Sequence, residues 1–146
     1  MRELAFPKGF FFGAATSAHQ VEGNNINSDW WSWEQNRFVT EASGLACDHY
    51  KRFSEDFDLA ASLSHNAHRF SIEWSRIEPI KGEFDESALA HYLDVVLALR
   101  KRCIEPIVTL HHFTSPLWLS KEGGWANAKA VEWFARYVEF IATALS

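Results

Sequence analysis

The sequence predicts an α/β fold with a parallel sheet, because three short apolar runs alternate with three amphipathic helical segments. No hairpin turn joins consecutive runs, as antiparallel pairing would require. The long connections all follow the predicted strands, whereas the helix-to-strand links, 64–66 and 103–105, are short. That asymmetry is typical of a (β/α)8 TIM barrel, whose functional residues lie on the loops after the strands.

Hydrophobic periodicity and capping residues predict the limits of each element. The predicted strands are Phe10–Ala14, Ala67–Ile72 and Pro106–Leu110. The predicted helices are Cys47–Leu63, Glu86–Arg102 and one that begins near Asn127 and buries Val131, Phe134, Val138 and Ile141. Asp85 is the expected N-cap of the second helix.

The predicted units fill only part of a barrel. A complete barrel needs about 250 residues, and the 146 residues hold three strand–helix units. Three strands curved for a barrel leave two unpaired edges, which favour aggregation. We therefore expect residues 1–146 to be the N-terminal part of a single barrel domain, with the remainder of the barrel as a partner.

The composition argues against several classes of protein. A net charge of -5 without a basic cluster argues against nucleic-acid binding, and no apolar stretch approaches the length of a membrane span. The two cysteines form no C-x-x-C motif and suit a reducing compartment, so we expect a cytoplasmic protein. No glycine-rich nucleotide motif follows a strand, and no cofactor is expected. The seven tryptophans belong either to the core or to a surface that stacks on a sugar.

Two adjacent histidines, His111 and His112, follow the third predicted strand. Neighbouring side chains on a strand point to opposite faces, so the pair is a poor chelator and we expect no metal site. One imidazole should face the barrel mouth, where it could hydrogen-bond a sugar hydroxyl. The alternative is a well-packed core histidine.

Arg69 and Glu73 share one face of the second predicted strand. A guanidinium keeps its charge, so an inward Arg69 needs a carboxylate partner. Glu73 is about 13 Å away along an extended chain, and we expect the partner to lie outside this chain. The alternative is a buried ion pair without catalytic meaning. Gln20, after the first strand, offers an amide that could bind two neighbouring hydroxyls of a sugar.

Three long motifs carry a resemblance to a known family. FFFGAATSAHQVEG, HRFSIEWSRIEP, and TLHHFTSPLWL with GGW resemble, in order, motifs of glycoside hydrolase family 1, the β-glucosidase family. Three positions depart from the usual pattern. Asn24 replaces a small residue, Phe113 stands where many members have Trp, and Glu73 stands where Ser is frequent.

The resemblance implies roles for individual residues. Gln20 and His112 would bind hydroxyls in the innermost sugar subsite, and Phe113 would be the aromatic residue beside them. Arg69 would hold the nucleophilic carboxylate, and His111 would pack. The implied substrate is a β-linked glucoside or galactoside. The rivals are a 6-phospho-β-glycosidase of the same family and a non-catalytic sugar-binding or interaction module.

The family's two catalytic glutamates are not expected in this chain. Retaining members use two carboxylates about 5–5.5 Å apart, and neither the Asn-Glu-Pro nor the Glu-Asn-Gly motif that carries them occurs in residues 1–146. Glu22, Glu73 and Glu78 lie in neither motif, and we expect them on the surface or in supporting positions. The isolated chain should therefore have essentially no turnover.

Overall fold

The computed structural model describes residues 5–36 and 41–145, in which short strands alternate with helices. The strands are β1 (Gly13–Ala15), β2 (Ala67–Ser71) and β3 (Glu105–Thr109). The helices are α1 (Ala18–Val21), α2 (Asp29–Asn36), α3 (His49–Ser62), α4 (Trp74–Ile77), α5 (Glu86–Lys101), α6 (Leu117–Lys121) and α7 (Ala130–Leu145), with a 3₁₀ turn at Gly124–Ala126.

The three strands form one parallel sheet in the order β1–β2–β3. Ala67 lies opposite both Gly13 and Glu105, so the register starts level across the sheet. Helix α3 connects β1 to β2 and α5 connects β2 to β3, as in consecutive βα units. The predicted α/β fold with a parallel sheet is confirmed.

The first strand is shorter than predicted, because Phe10–Phe12 lie outside it. The side chain of Asn66 holds this segment: its Oδ1 accepts from the Phe12 amide at 2.7 Å, and its Nδ2 donates to the Phe10 carbonyl at 3.0 Å. Pairing with β2 begins at Gly13, where the two backbones approach closely. All three residues of β1 are exposed, as expected for an open edge.

The core lies between the sheet and the helices that cover one of its faces. Trp74, Tyr92 and Tyr137 are its largest fully buried side chains. Val108 packs against this core, whereas its neighbour Ile107 points the other way and is 43 % exposed. The second face of the sheet is therefore uncovered in the described residues.

The predicted start of helix α5 is confirmed, whereas α7 begins three residues after Asn127 and the predicted burial of Val131 is wrong. The Asp85 carboxylate caps α5 by accepting from the amides of Ser87 and Ala88, at 2.8 and 3.1 Å. Helix α7 begins at Ala130, and Val131 is 73 % exposed instead of buried. Trp133, Tyr137 and Ile141 form the buried row at a spacing of four residues.

The long connections after the strands contain four short helices that the sequence does not reveal. Helices α1 and α2 follow β1, α4 follows β2, and α6 follows β3. Helix α2, with the sequence DWWSWEQN, lacks the apolar stripe of a core-facing helix. No helix in the described residues is long and apolar enough to cross a membrane.

Substitution of Gly13 tests how closely the backbones of β1 and β2 approach each other. A Cβ atom added at Gly13 would lie 1.9 Å from the Ala67 carbonyl oxygen, so Gly13→Ala forces the strands apart. We expect a loss of about 3 kcal/mol in the free energy of unfolding, measured by urea denaturation. Gly82→Ala is the control, because Gly82 has φ +86° but no atom within 4 Å of the added Cβ. It should cost about 1 kcal/mol of backbone strain, and equal losses would contradict the clash.

The lowered pKa of His68 predicts that the stability of the fold depends on pH. Burial, helped by the nearby charges of His49, His65 and Arg69, lowers the pKa of His68 from 6.5 to about 4, while Asp56 opposes the shift. The unfolded chain takes up this proton near pH 6.5 and the folded chain only near pH 4. The free energy of unfolding should therefore fall as the pH falls through this window.

Urea midpoints at pH 7 and pH 4.5 measure this effect. His68→Gln should lose less stability than the wild type over the interval. Part of the loss should remain, because burial also lowers the pKa of His91 to about 4. Identical losses in the variant and the wild type would contradict the assignment to His68.

Candidate functional site

The residues singled out in the sequence lie where the three strands end at their carboxyl termini. Arg69 lies within β2, His112 and Phe113 follow β3, and Gln20 lies in α1 after β1. Parallel strands bring these ends to one edge of the sheet. The predicted site residues therefore come from all three strand–loop connections.

Arg69 connects the ends of the two outer strands. Its Nη1 donates to the Thr16 carbonyl at 3.0 Å and approaches Nδ1 of His112 at 3.4 Å. Arg69 is half-buried. Among residues 5–36 and 41–145, no carboxylate forms an ion pair with it. The structure brings Arg69 and His112 together and leaves the guanidinium charge without a neutralising partner in this part of the chain.

The two histidines contact different surroundings. Because the Nδ1 atom of His112 accepts from Arg69, its ring proton lies on Nε2, which is a donor at the exposed edge of the site. His111 instead packs edge-on against Trp125 and Phe134, with ring centroids 5.0 and 6.2 Å away. Burial lowers the pKa of His111. This arrangement agrees with the expectation that the two imidazoles point in opposite directions.

Phe113 continues the site into an exposed aromatic surface. Its ring lies 5.6 Å from the ring of His112 and 5.6 Å from that of Trp30, edge-to-face in both cases. Trp30 lies 5.1 Å from Trp33, and both indoles are more than 40 % exposed. This cluster is not among the residues predicted from the sequence, although the tryptophan-rich segment DWWSWEQN that forms it is a signal for an aromatic surface.

Gln20 joins the site through the loop that Arg69 holds. The Ser17 hydroxyl donates to Oε1 of Gln20 at 2.5 Å, and Ser17 follows Thr16, which Arg69 binds. No direct hydrogen bond links Gln20 to Arg69 or His112 in the described part of the chain. The Gln20 side chain is exposed, so its amide is open to a ligand.

The three glutamates that lack a catalytic motif are not on the surface. Glu22, Glu73 and Glu78 are 4 %, 2 % and 0 % exposed, so of the two expected placements, surface or supporting, the structure shows the supporting one. Glu78 accepts from the Trp74 indole at 2.8 Å and pairs with Arg136. Each of these carboxylates therefore accepts hydrogen bonds from, or pairs with, side chains of other elements of the fold.

Glu22 and Arg76 form a buried ion pair between the loops after β1 and β2. Glu22 Oε2 lies 2.8 Å from Arg76 Nε, and the Tyr92 hydroxyl donates to the same carboxylate at 3.0 Å. Burial raises the pKa of Glu22 to about 7, although the Arg76 charge acts in the opposite direction. The partners are 54 and 70 residues away along the chain, so spacing could not reveal them.

The described residues of the site are suited to binding and orienting a ligand. It presents a guanidinium, an imidazole donor, an amide and an aromatic ring. Glu22, Glu73 and Glu78 are each bound to other side chains, to Arg76, Thr114 and Arg136 respectively. In the described residues no group of three His, Cys, Asp or Glu side chains could hold a metal ion.

Comparisons with known proteins agree with this geometry. The model of the family described as "Glycosyl hydrolase family 1" matches residues 2–146. β-Glucosidase 4 of rice, Oryza sativa subsp. japonica, is 41 % identical over 145 residues, which are 92 % of this chain and 30 % of the rice protein. The chain thus spans about a third of the length of the relatives that it matches.

Two solved structures described as β-glycosidases have the same arrangement. The crystal structure of β-glycosidase BGL167 is 48 % identical, with a TM-score of 0.93, and is matched over 96 % of this chain and 34 % of that one. The β-glycosidase from Pyrococcus horikoshii is 46 % identical, with a TM-score of 0.91, over 96 % of this chain and 33 % of that one. The predicted fold class is confirmed: the strands and helices are three consecutive units of a (β/α)8 barrel.

The Glu22–Arg76 pair generates a stability prediction. Arg76→Met leaves the buried Glu22 carboxylate unpaired, and we expect a loss of about 3–5 kcal/mol in the free energy of unfolding by urea denaturation. Arg52→Met is the matched control, because Arg52 and Glu55 pair with 58 % and 65 % of their side chains exposed. The control should leave the stability almost unchanged, because solvent screens an exposed ion pair. Equal effects would show that burial does not matter for the Glu22 pair.

Proposed function

We propose that this chain, which belongs to glycosyl hydrolase family 1, is the N-terminal part of a retaining β-glycosidase. The substrates of this enzyme would be β-glucosides or β-galactosides. In this proposal residues 1–146 form part of one barrel domain, and the rest of the barrel supplies both catalytic carboxylates. The contact between Arg69 and His112 at the strand ends carries the proposal. This contact places a guanidinium, which can bind a carboxylate, beside an imidazole N–H, which can donate to a sugar hydroxyl.

His112 and Gln20 would bind the sugar ring that is transferred. With Nδ1 occupied by Arg69, the Nε2 proton of His112 is oriented to donate to a ring hydroxyl. With Oε1 engaged by Ser17, Gln20 would use its amide nitrogen as a donor to a neighbouring hydroxyl. Phe113, 38 % exposed, would pack beside the sugar as an apolar wall.

Arg69 would position the nucleophilic carboxylate from the absent part of the barrel. Its charge is permanent and has no carboxylate partner among the described residues, so a carboxylate placed beside it would be stabilised in its ionised form. An ionised carboxylate is the form that attacks the anomeric carbon in a retaining mechanism. Arg69 thus acts through the nucleophile and does not itself react.

We also propose a cytoplasmic location. Cys47 and Cys103 are both exposed and unpaired, and free surface thiols persist in a reducing compartment.

The test is a hybrid barrel, in which residues 1–146 replace the matching N-terminal third of β-glycosidase BGL167. The hybrid should hydrolyse 4-nitrophenyl β-glucoside, and the isolated chain should show no turnover above buffer. A panel that includes 6-phosphorylated glycosides shows which substrates the hybrid accepts. A folded hybrid without activity on any plain β-glycoside, or an isolated chain with activity, would contradict the proposal.

His112 and His111 form a matched pair for mutation in this hybrid. His112→Ala removes a hydrogen bond to the sugar, and we expect kcat/KM to fall about 10- to 100-fold. His111→Phe keeps the aromatic packing against Trp125 and should change kcat/KM less than about threefold. Steady-state kinetics on 4-nitrophenyl β-glucoside measures both. A larger loss for His111→Phe would reverse the assigned roles.

A further inference from the structure

Glu73 is a buried carboxyl group that binds the segment after β3. It lies two residues beyond β2 and is 2 % exposed. Its Oε2 accepts from the Thr114 hydroxyl at 2.7 Å, and its Oε1 accepts from the amide of Ser75 at 3.3 Å as the N-cap of α4. Thr114 directly follows His112 and Phe113 in the chain. The Glu73 carboxyl group therefore holds the backbone that carries two of the proposed sugar contacts.

A chain of buried hydrogen bonds runs from Glu73 into the loop after β1. The Ser75 hydroxyl lies 2.9 Å from Glu73 Oε1 and 2.9 Å from Asn25 Oδ1. The other end of the Asn25 amide, Nδ2, lies 3.2 Å from Nδ1 of His19. Nε2 of His19 lies 3.2 Å from Glu34 Oε1. All four contacts link side chains that are buried.

Counting protons shows that one donor is missing if Glu73 is ionised. A serine hydroxyl carries one hydrogen, so Ser75 cannot donate to both Glu73 and Asn25. If Glu73 carries a proton on Oε1, it donates to Ser75 and Ser75 donates to Asn25. Asn25 then donates to His19, and His19 donates from Nε2 to Glu34. Every contact is satisfied, and all the hydrogen bonds run in one direction.

The two ends of the chain differ in their surroundings. Burial raises the pKa of Glu73, against the effect of its hydrogen bonds from Thr114 and Ser75. Burial also raises the pKa of Glu34, but the hydrogen bonds from the Ser43 hydroxyl and amide outweigh it, and the pKa of Glu34 is lowered. A neutral acid at one end and a carboxylate at the other is the arrangement that these environments favour.

The titratable groups that face Glu73 come from four places. They are His19 in α1, Glu22 just after α1, Tyr92 in α5 and Tyr137 in α7. Glu22 is a neighbouring acid, and the Arg76 cation that could offset it is bound to Glu22 itself. The Glu73 carboxyl group has no cation of its own among the described residues.

We infer that Glu73 is held as the neutral carboxylic acid and is a positioning residue for the segment His112–Thr114. The sugar-binding part of this inference rests on the proposed function. Glu73 acts by two routes. It binds Thr114 directly, and through Ser75 and Asn25 it connects to the ring of His19, which lies 5.7 Å from the ring of Phe113. Asp29 secures the next residue, accepting from the Ser115 amide at 2.9 Å.

Infrared spectroscopy tests the proton on Glu73. In the difference spectrum between wild type and Glu73→Gln at pH 7, we expect loss of a carbonyl band of a protonated carboxylic acid. Glu34→Gln is the matched control and should remove carboxylate bands instead. The measurement is made on the 146-residue chain and on the hybrid barrel, and it requires no activity.

The competing arrangement places the proton on His19, with Glu73 ionised and the Asn25 amide reversed. Loss of carboxylate bands in Glu73→Gln, together with a doubly protonated His19 by imidazole ¹⁵N shifts, would overturn the inference.

Kinetics of the hybrid barrel test the positioning. Glu73→Gln is neutral and can both donate and accept, so we expect KM within about threefold of the wild type. Glu73→Ala breaks both ties, and we expect KM to rise about tenfold with kcat changed less than threefold. In a His112→Ala background the same substitution should raise KM by a clearly smaller factor, because only the contribution of Phe113 is left, whereas a merely structural role would give equal factors in both backgrounds. Glu55→Ala, at an exposed site, controls for nonspecific effects.

Thr114→Val keeps the inference testable if Glu73→Ala does not fold. It removes only the hydroxyl that binds Glu73 Oε2, and KM should again rise by about threefold or more. A Glu73→Gln variant as impaired as Glu73→Ala, or a folded Glu73→Ala or Thr114→Val variant with unchanged KM, would contradict the positioning role. An inactive wild-type hybrid would refute the proposed function, while the infrared result would still decide the state of Glu73.

Discussion

The site depends on a permanent positive charge at the centre of an incomplete sheet. Arg69 lies on the middle strand, and its guanidinium reaches the chain after β1 and the histidine after β3. A half-buried guanidinium cannot be neutralised by losing a proton, so it requires an anionic partner or solvent. The contacts to Thr16 and His112 use two of its hydrogens and leave the charge for a group outside the described residues.

Buried polar groups connect the three loops that follow the strands. Glu22 and Arg76 join the first loop to the second, and Glu73 and Thr114 join the second to the third. Loop backbones at a barrel mouth need hydrogen-bond partners that regular structure does not supply. The supporting side chains of these loops thus have fixed partners within the protein, which favours the orientation of a substrate. The exposed edge of β1 and the uncovered face around Ile107 lack such support.

The sequence was most informative where periodicity or capping chemistry is local. All three strands were predicted to within a few residues, and Asp85 was identified as a cap because its partners are two and three residues away. Helix α2 is not predictable from periodicity, because its residues lie in the loop after β1 and do not cover a core, so the helix has no apolar stripe. Val131 was assigned to the wrong face because the apolar residues of α7 occupy more than one stripe and the sequence does not fix its rotation.

The long motifs identified the candidate site residues, but the residues that support them could not be predicted. Glu22, Glu73 and Glu78 looked alike in the sequence, and their environments depend on partners as far as 70 residues away. Burial converts such carboxyl groups from surface charges into connections between loops.

Trapping a sugar on the nucleophile of the hybrid barrel tests the central claim most directly. A crystal structure with a 2-deoxy-2-fluoroglucosyl group bound should place Nε2 of His112 and the Gln20 amide within hydrogen-bond distance of sugar hydroxyls. It should also place Arg69 beside the glycosylated carboxyl group. A trapped sugar that contacts neither His112 nor Gln20, or a nucleophile remote from Arg69, would contradict the account.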